Sequence, residues 1–195
     1  MDVNVPDVVL VFSGKRKSGK DFTTDILLER LGADLCVILR LSGPLKFQYA
    51  KENNLDFNKL LDATSYKENH RAKMIKWGEE QRQKNPAYFC GLAIEDASPN
   101  HKVWIISDAR RQTDVEFFKE NYPKQTVTVR VTADDSVRLA RGFAHTKGVD
   151  DAESECGLDQ GVTWDFIVSN NGNMAELEPQ LAKIIDHIRE MLCKK

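Results

Sequence analysis

The sequence predicts an α/β fold of three layers, in which helices cover both faces of a central five-stranded parallel sheet. Three observations point to it. DVVLVFSG (7–14) is a continuous apolar run of strand length, as a strand buried on both faces requires. Apolar, β-rich runs then alternate with stretches of helical periodicity along the whole chain. Finally, a chain of 195 residues, 41% apolar and 30% charged, suits one domain with a single sizeable core.

Taken in order, the first strand ends at Gly14, and Lys20 to Leu31 follow with Phe22, Ile26, Leu27 and Leu31 at helical spacing. Gly32 is placed to close that helix. LCVILRL (35–41) reads as the second strand and SGPL (42–45) as a turn. A long polar, helix-prone insert spans about 44–98. Within it Ser65 and Glu68 have the spacing of a capping box for a helix running to Lys84, and Asn85-Pro86 opens the next. SPNH (98–101) is a predicted loop, followed by the strand KVWIISD (102–108), a short helix at 113–121 and the strand QTVTVRVT (125–132). A charged helix from Asp134 to Arg141 opens a lid-like segment at about 134–158, in which Asp150 and Glu153 have capping-box spacing. WDFIVS (164–169) and a helix from Met174 to Leu192 complete the chain.

Charge and cysteine content narrow the function. A net charge of −2 and a pI of about 6.1 predict no general attraction to nucleic acid or to anionic membrane. Cys36, Cys90, Cys156 and Cys193 lack C-x-x-C spacing, so neither a zinc site nor a disulfide framework is expected. No apolar run approaches the length of a membrane span, and the N-terminus lacks the pattern of a signal peptide; a cytoplasmic monomer is the expectation. His70, His101, His145 and His187 form no spaced pair and no triad, which removes support for nucleophilic hydrolysis.

The chemistry gathers at FSGKRKSGKD (12–21). Gly14, Gly19 and Lys20 stand in the register of the phosphate-binding G-x-x-x-x-G-K-[S/T], between a buried strand and an amphipathic helix. In that context backbone N–H groups and the helix N-terminus face an anion. Lys20 is expected to contact the β- and γ-phosphates of ATP, with Lys15, Arg16 and Lys17 as surplus cations that suit a second anionic reactant. Asp21 replaces the usual hydroxyl and offers Mg²⁺ a hard oxygen ligand. WIISDARR places Asp108 at a strand end, where a carboxylate would hold the metal through water, with Arg110 and Arg111 beside it. Arg138 and Arg141 share one face of the following helix, where a closing lid could lay them across the phosphoryl. The layout is that of a small P-loop kinase with an acceptor-binding insert and a lid.

With GKRKSGKDF, SDARR, the GPLK turn at 43–46 and GVDDAESECGLD at 148–159 in view, the chain closely resembles the animal phosphomevalonate kinase family over essentially its whole length. Asp21 belongs to that family's pattern. The resemblance implies ATP- and Mg²⁺-dependent conversion of 5-phosphomevalonate to 5-diphosphomevalonate in isoprenoid and sterol synthesis. Carried over residue by residue, it implies an ATP loop of Gly14, Lys15, Arg16, Lys17, Ser18, Gly19, Lys20 and Asp21, with Arg138, Arg141, Asn171 and Gln180 as further nucleotide contacts. Lys46, Arg71, Arg82, Arg110, Arg111, Arg130 and Asn170 would contact the acceptor. Lys20, Lys17, Arg16, Arg110, Arg111 and Arg141 would act on the transferring phosphoryl, and Asp21 and Asp108 on the metal. Some relatives end in a peroxisomal-type tripeptide, which Lys194-Lys195 does not match. A nucleoside or deoxynucleoside monophosphate kinase is the alternative the residues leave open.

Overall fold

The computed structural model describes residues 5–61, 65–95, 97 and 100–194. Ser98 and Pro99 of the predicted loop at 98–101, and Lys195, lie outside them. The chain divides into two compact units, one of residues 1–39 and 97–195 and one of 40–96.

The first unit carries a five-stranded sheet of β1 (Val8–Ser13), β2 (Cys36–Leu39), β3 (Val103–Ile106), β4 (Thr126–Thr132) and β5 (Phe166–Ser169). The order is β2-β3-β1-β4-β5, and every pairing is parallel. β1 is central and buried at all of its residues, which explains its unbroken apolar run: neither face meets water. Its helices are α1 (Lys20–Leu31), α6 (Gln112–Asn121), α7 (Asp135–Ala140), α8 (Glu153–Cys156) and α9 (Met174–Cys193). On one face Leu27 of α1 and Leu177, Leu181, Ile184 and Ile188 of α9 pack on Val8, Leu10 and Phe12. On the other, Val115 and Phe118 of α6 are buried.

The second unit holds α2 (Ser42–Glu52), α3 (Phe57–Leu61), α4 (Ser65–Lys84) and α5 (Tyr88–Glu95) around Tyr49, Ala50, Leu60 and Met74. SGPL is not a turn. It forms the first residues of α2, because a proline in the first turn loses no hydrogen bond: the amide it lacks would have had no partner in the helix. α4 begins at Ser65 itself, and Glu68 reaches forward to Arg71 at 3.0 Å. Asn85 does act at the entrance to α5, its Oδ1 accepting the Ala87 amide at 3.0 Å.

Candidate active site

The loop between β1 and α1 follows from its residue types. A turn from Lys15 to Ser18 is closed by the Ser18 amide donating to the Lys15 carbonyl at 3.0 Å. Lys17 then takes a φ of 63° and Gly19 a φ of 84°. Glycine is needed at 19 for space as well as conformation, since a Cβ there would collide with Nδ2 of Asn170.

Three side chains from outside the loop hold its backbone carbonyls. Nε of Arg138 donates to Arg16 O at 2.9 Å. NH1 of Arg141 donates to Lys17 O at 3.2 Å and Ser18 O at 3.1 Å. Asn170, buried, donates Nδ2 to Ser18 O at 3.1 Å while its own carbonyl accepts from NH2 of Arg141 at 2.9 Å. A trans peptide aims N–H opposite to C=O. Anchoring Arg16 O and Ser18 O therefore turns the amides of Lys17 and Gly19 away from these three side chains, and both residues line a cavity of about 310 Å³. Its other walls are Gly14, Lys15, Arg16, Lys20, Asp21, Phe22 and Arg110.

Lys20 opens α1 with its ammonium 2.5 Å from Asp21 Oδ1; the lysine is mostly buried (side chain 11% exposed) and the aspartate open (66%). An exposed carboxylate on the cavity wall fits a cation such as Mg²⁺, which binds through one or two carboxylates plus phosphate oxygens and water. Among the described residues no three His, Cys, Asp or Glu side chains gather to hold a metal ion. Asp108 is buried just beyond β3, and the Ala109 amide ties that loop to Phe12 O at 3.0 Å.

Arg110 and Arg111 leave the same loop with their backbone amides held by Oδ2 of the buried Asp114, at 2.9 and 3.1 Å. Burial pushes the Arg111 guanidinium below its ordinary pKa, opposed by the charges of Asp114, Glu153 and Glu155. Arg130, on β4 beside Ser13, donates to Ser13 Oγ at 2.9 Å and lies over the Trp164 ring.

Other candidates have different surroundings. Asn171 exchanges hydrogen bonds with Asp134, accepting its amide at 2.9 Å and donating to its Oδ2 at 3.0 Å. Gln180 binds the backbone of Ser169 at 2.8 and 3.1 Å, and neither residue lines the cavity around the loop. Lys46, Arg71 and Arg82 lie in the helical unit on α2 and α4, with Arg82 over the ring of Phe89. Asp150 is not a helix cap: α8 starts at Glu153 after Ala152, and both oxygens of Asp150 accept from NH1 of Arg16, at 3.0 and 2.8 Å. Phe143, which no spacing singled out, stacks beneath the Arg138 guanidinium at 4.1 Å.

A glycine-bounded, cation-rich loop at the end of the central strand of a parallel sheet ordered 2-3-1-4-5 defines a P-loop small-molecule kinase fold. A shikimate kinase from Bacteroides thetaiotaomicron superposes with a TM-score of 0.52 at 11% identity, over 93% of this chain and 98% of that one. An APS kinase from Mycobacterium tuberculosis gives 0.51 at 12% identity, over 94% and 97%. A family model described as phosphomevalonate kinase matches residues 12–124, and the phosphomevalonate kinase of Drosophila melanogaster is 38% identical over 167 residues, 84% of this chain and 88% of that protein. The chain belongs to the phosphomevalonate kinase family.

Proposed function

We propose that the protein transfers the terminal phosphoryl of ATP to (R)-5-phosphomevalonate, giving (R)-5-diphosphomevalonate and ADP, in the mevalonate route to isoprenoids and sterols. The observation that carries this reading is the composition of the cavity: among the described residues Lys15, Arg16, Lys17, Lys20 and Arg110 surround it, with Asp21 as the one carboxylate and no histidine. That suits an acceptor needing no base. A phosphomonoester has its second pKa at about 6, so its attacking oxygen is ionised at neutral pH. The barrier is repulsion between two polyanions, and fixed cations lower it by positioning and charge stabilisation, a single well-placed arginine contributing ~10³-fold or more.

In this reading Lys20 and the amides of Lys17 and Gly19 bind the nucleotide phosphates, and Arg16 and Arg110 stabilise the group in transfer. Arg141 and Arg138 support the reaction from the carbonyl side of the loop, and the segment from 134 to 158 acts as the lid. Asp21 and Asp108 would hold Mg²⁺, which would supply charge neutralisation for the nucleotide phosphates. The roles of Lys46, Arg71, Arg82, Arg111 and Arg130 toward the acceptor, and of Asn171 and Gln180 toward the nucleotide, rest on the family resemblance. The protein would act as a cytoplasmic monomer; no helix among the described residues is long and apolar enough to cross a membrane. A panel of acceptors assayed by ADP release tests the proposal. Turnover with phosphomevalonate is expected; turnover only with nucleoside monophosphates would replace it with the nucleotide-kinase reading.

A further inference from the structure

The carboxylates of the acidic stretch GVDDAESECGLD have no role of their own in the chemistry above, yet three of them reach the cations of the site. Asp150 accepts from Arg16 through both oxygens and is itself fixed by the Thr146 amide at 2.8 Å. Glu155 accepts from NH1 of Arg110, which also donates to the Ser154 carbonyl at 3.1 Å. Asp159 joins two elements, with Oδ1 accepting from Arg130 at 2.6 Å and Oδ2 lying 2.7 Å from the Lys15 ammonium.

Carboxylates in such places could do one of two things. They could plug the site, taking the donors that phosphates need until substrate displaces them, or they could brace the cations from behind. Exposure decides between the two. The side chain of Asp150 is 6% exposed against 25% for Arg16, and Glu155 is 7% against 35% for Arg110. In both pairs, and between Lys15 at 42% and Asp159 at 31%, the cation is the outer partner, whereas a plug would be outermost; only against Arg130, at 12%, does Asp159 lie outside. Each arginine also commits only NH1 to its carboxylate among the described residues, and a guanidinium has further donors that can fork onto a phosphate.

We propose that Asp150, Glu155 and Asp159 are positioning residues of the transfer reaction, orienting Arg16, Arg110 and Lys15 before substrate arrives. Long cationic side chains lose much rotamer freedom when ordered, and pairing makes that loss part of folding rather than of binding. The carboxylates also offset repulsion among cations held close together in the absence of phosphates. Because loop and segment lie far apart in sequence, the same pairs tie the lid-like segment to the nucleotide loop.

The inference rests on the phosphoryl-transfer reading, so its test has a part that needs no acceptor. Asp150→Asn, Glu155→Gln and Asp159→Asn are made in the full chain, with Asp159→Glu as the conservative control. Inorganic pyrophosphate affinity is measured by titration calorimetry, and kcat and KM for ATP and phosphomevalonate by ADP release. Weaker pyrophosphate binding is expected for each neutral variant, with kcat/KM lower by about 10- to 100-fold and substantial recovery in Asp159→Glu. Tighter pyrophosphate binding with kcat preserved would mean the carboxylates are plugs, and unchanged binding would mean they do neither; either overturns the proposal. Circular dichroism and melting curves identify any variant that fails to fold, and the remaining two, acting on different cations, then decide the matter. A wild-type enzyme inactive on phosphomevalonate would refute the proposed function and leave the pyrophosphate comparison intact.

Discussion

Lys20 shows how much of the site one residue's setting discloses. A lysine after a strand-ending loop, at the first position of a helix, is legible from spacing alone, and the structure lines the cavity with it. Its replacement by methionine keeps the stem and removes the charge, so Lys20→Met is expected to fold normally, by circular dichroism, and to lose phosphoryl transfer by at least ~10³-fold. Asp21→Ser should retain ATP binding in calorimetry while its activity shifts to a higher Mg²⁺ requirement, because in the proposed site a neutral oxygen would replace a charged ligand. Arg138 and Arg141 were less legible. Helical spacing puts them on one face, but nothing in spacing says that their guanidiniums end on the carbonyls of Arg16, Lys17 and Ser18. The steric dependence of Gly19 on Asn170 is equally invisible in the chain. Gly19→Ala is therefore expected to weaken ATP binding by ~10-fold or more, combining positive-φ strain with the collision. Removing Asn170 relieves only the second of these. In a double-mutant cycle Gly19→Ala should be less damaging on an Asn170→Gly background than alone, and strict additivity would separate the two residues.

At the scale of elements, periodicity was informative wherever an element buries a continuous stripe. α9 is an example: Leu177, Leu181, Ile184 and Ile188 recur at helical spacing and are fully buried against the sheet. Spacing is ambiguous where local chemistry has two solutions. Gly43-Pro44 suits a turn or the first turn of a helix, and packing around Tyr49 and Leu60 selects the helix. Asp150 and Glu153 could cap a helix, but Arg16, far away in sequence, offers Asp150 a charged donor whose NH1 meets both carboxylate oxygens, and a charge-assisted contact outweighs a neutral cap. A similar comparison ranks the contacts that hold α9 in place. Arg30 of α1 and Glu178 of α9 form a forked pair at 2.7 and 2.6 Å; this raises the arginine pKa and lowers the glutamate's, yet the pair is solvent-exposed. Exposed pairs gain little over hydration. Leu181→Ala should cost about 2–5 kcal/mol in urea unfolding, whereas Glu178→Gln should leave the midpoint nearly unchanged. A larger effect from the glutamine would show that α9 is held by charge rather than by its apolar face.

Over the whole molecule, the near-zero net charge hides a separation that composition could not show: cations crowd one loop region, and acids distant in sequence are folded against them. Burial also controls titration away from the site, in the cores of the two units. Burial pushes the Cys36 thiol from 9.0 up to about 12, and it raises the pKa of Tyr122 in the same unit and of Tyr49 in the helical unit. For each, the folded state holds its proton to higher pH than the unfolded state does. The stabilisation is therefore complete below the unfolded-state pKa and is lost as pH rises through the folded value. Between pH 9.0 and about 12 the unfolded chain gives up the Cys36 proton while the folded chain keeps it, so stability falls across that window. Urea midpoints measured at intervals from pH 8 upward should be level at first and then decline. Cys36→Ala lowers the whole curve by loss of packing, but it should also flatten the alkaline slope, because one titrating group has gone. Parallel slopes for the wild type and Cys36→Ala would show that the thiol's burial in β2 does not couple its proton to folding.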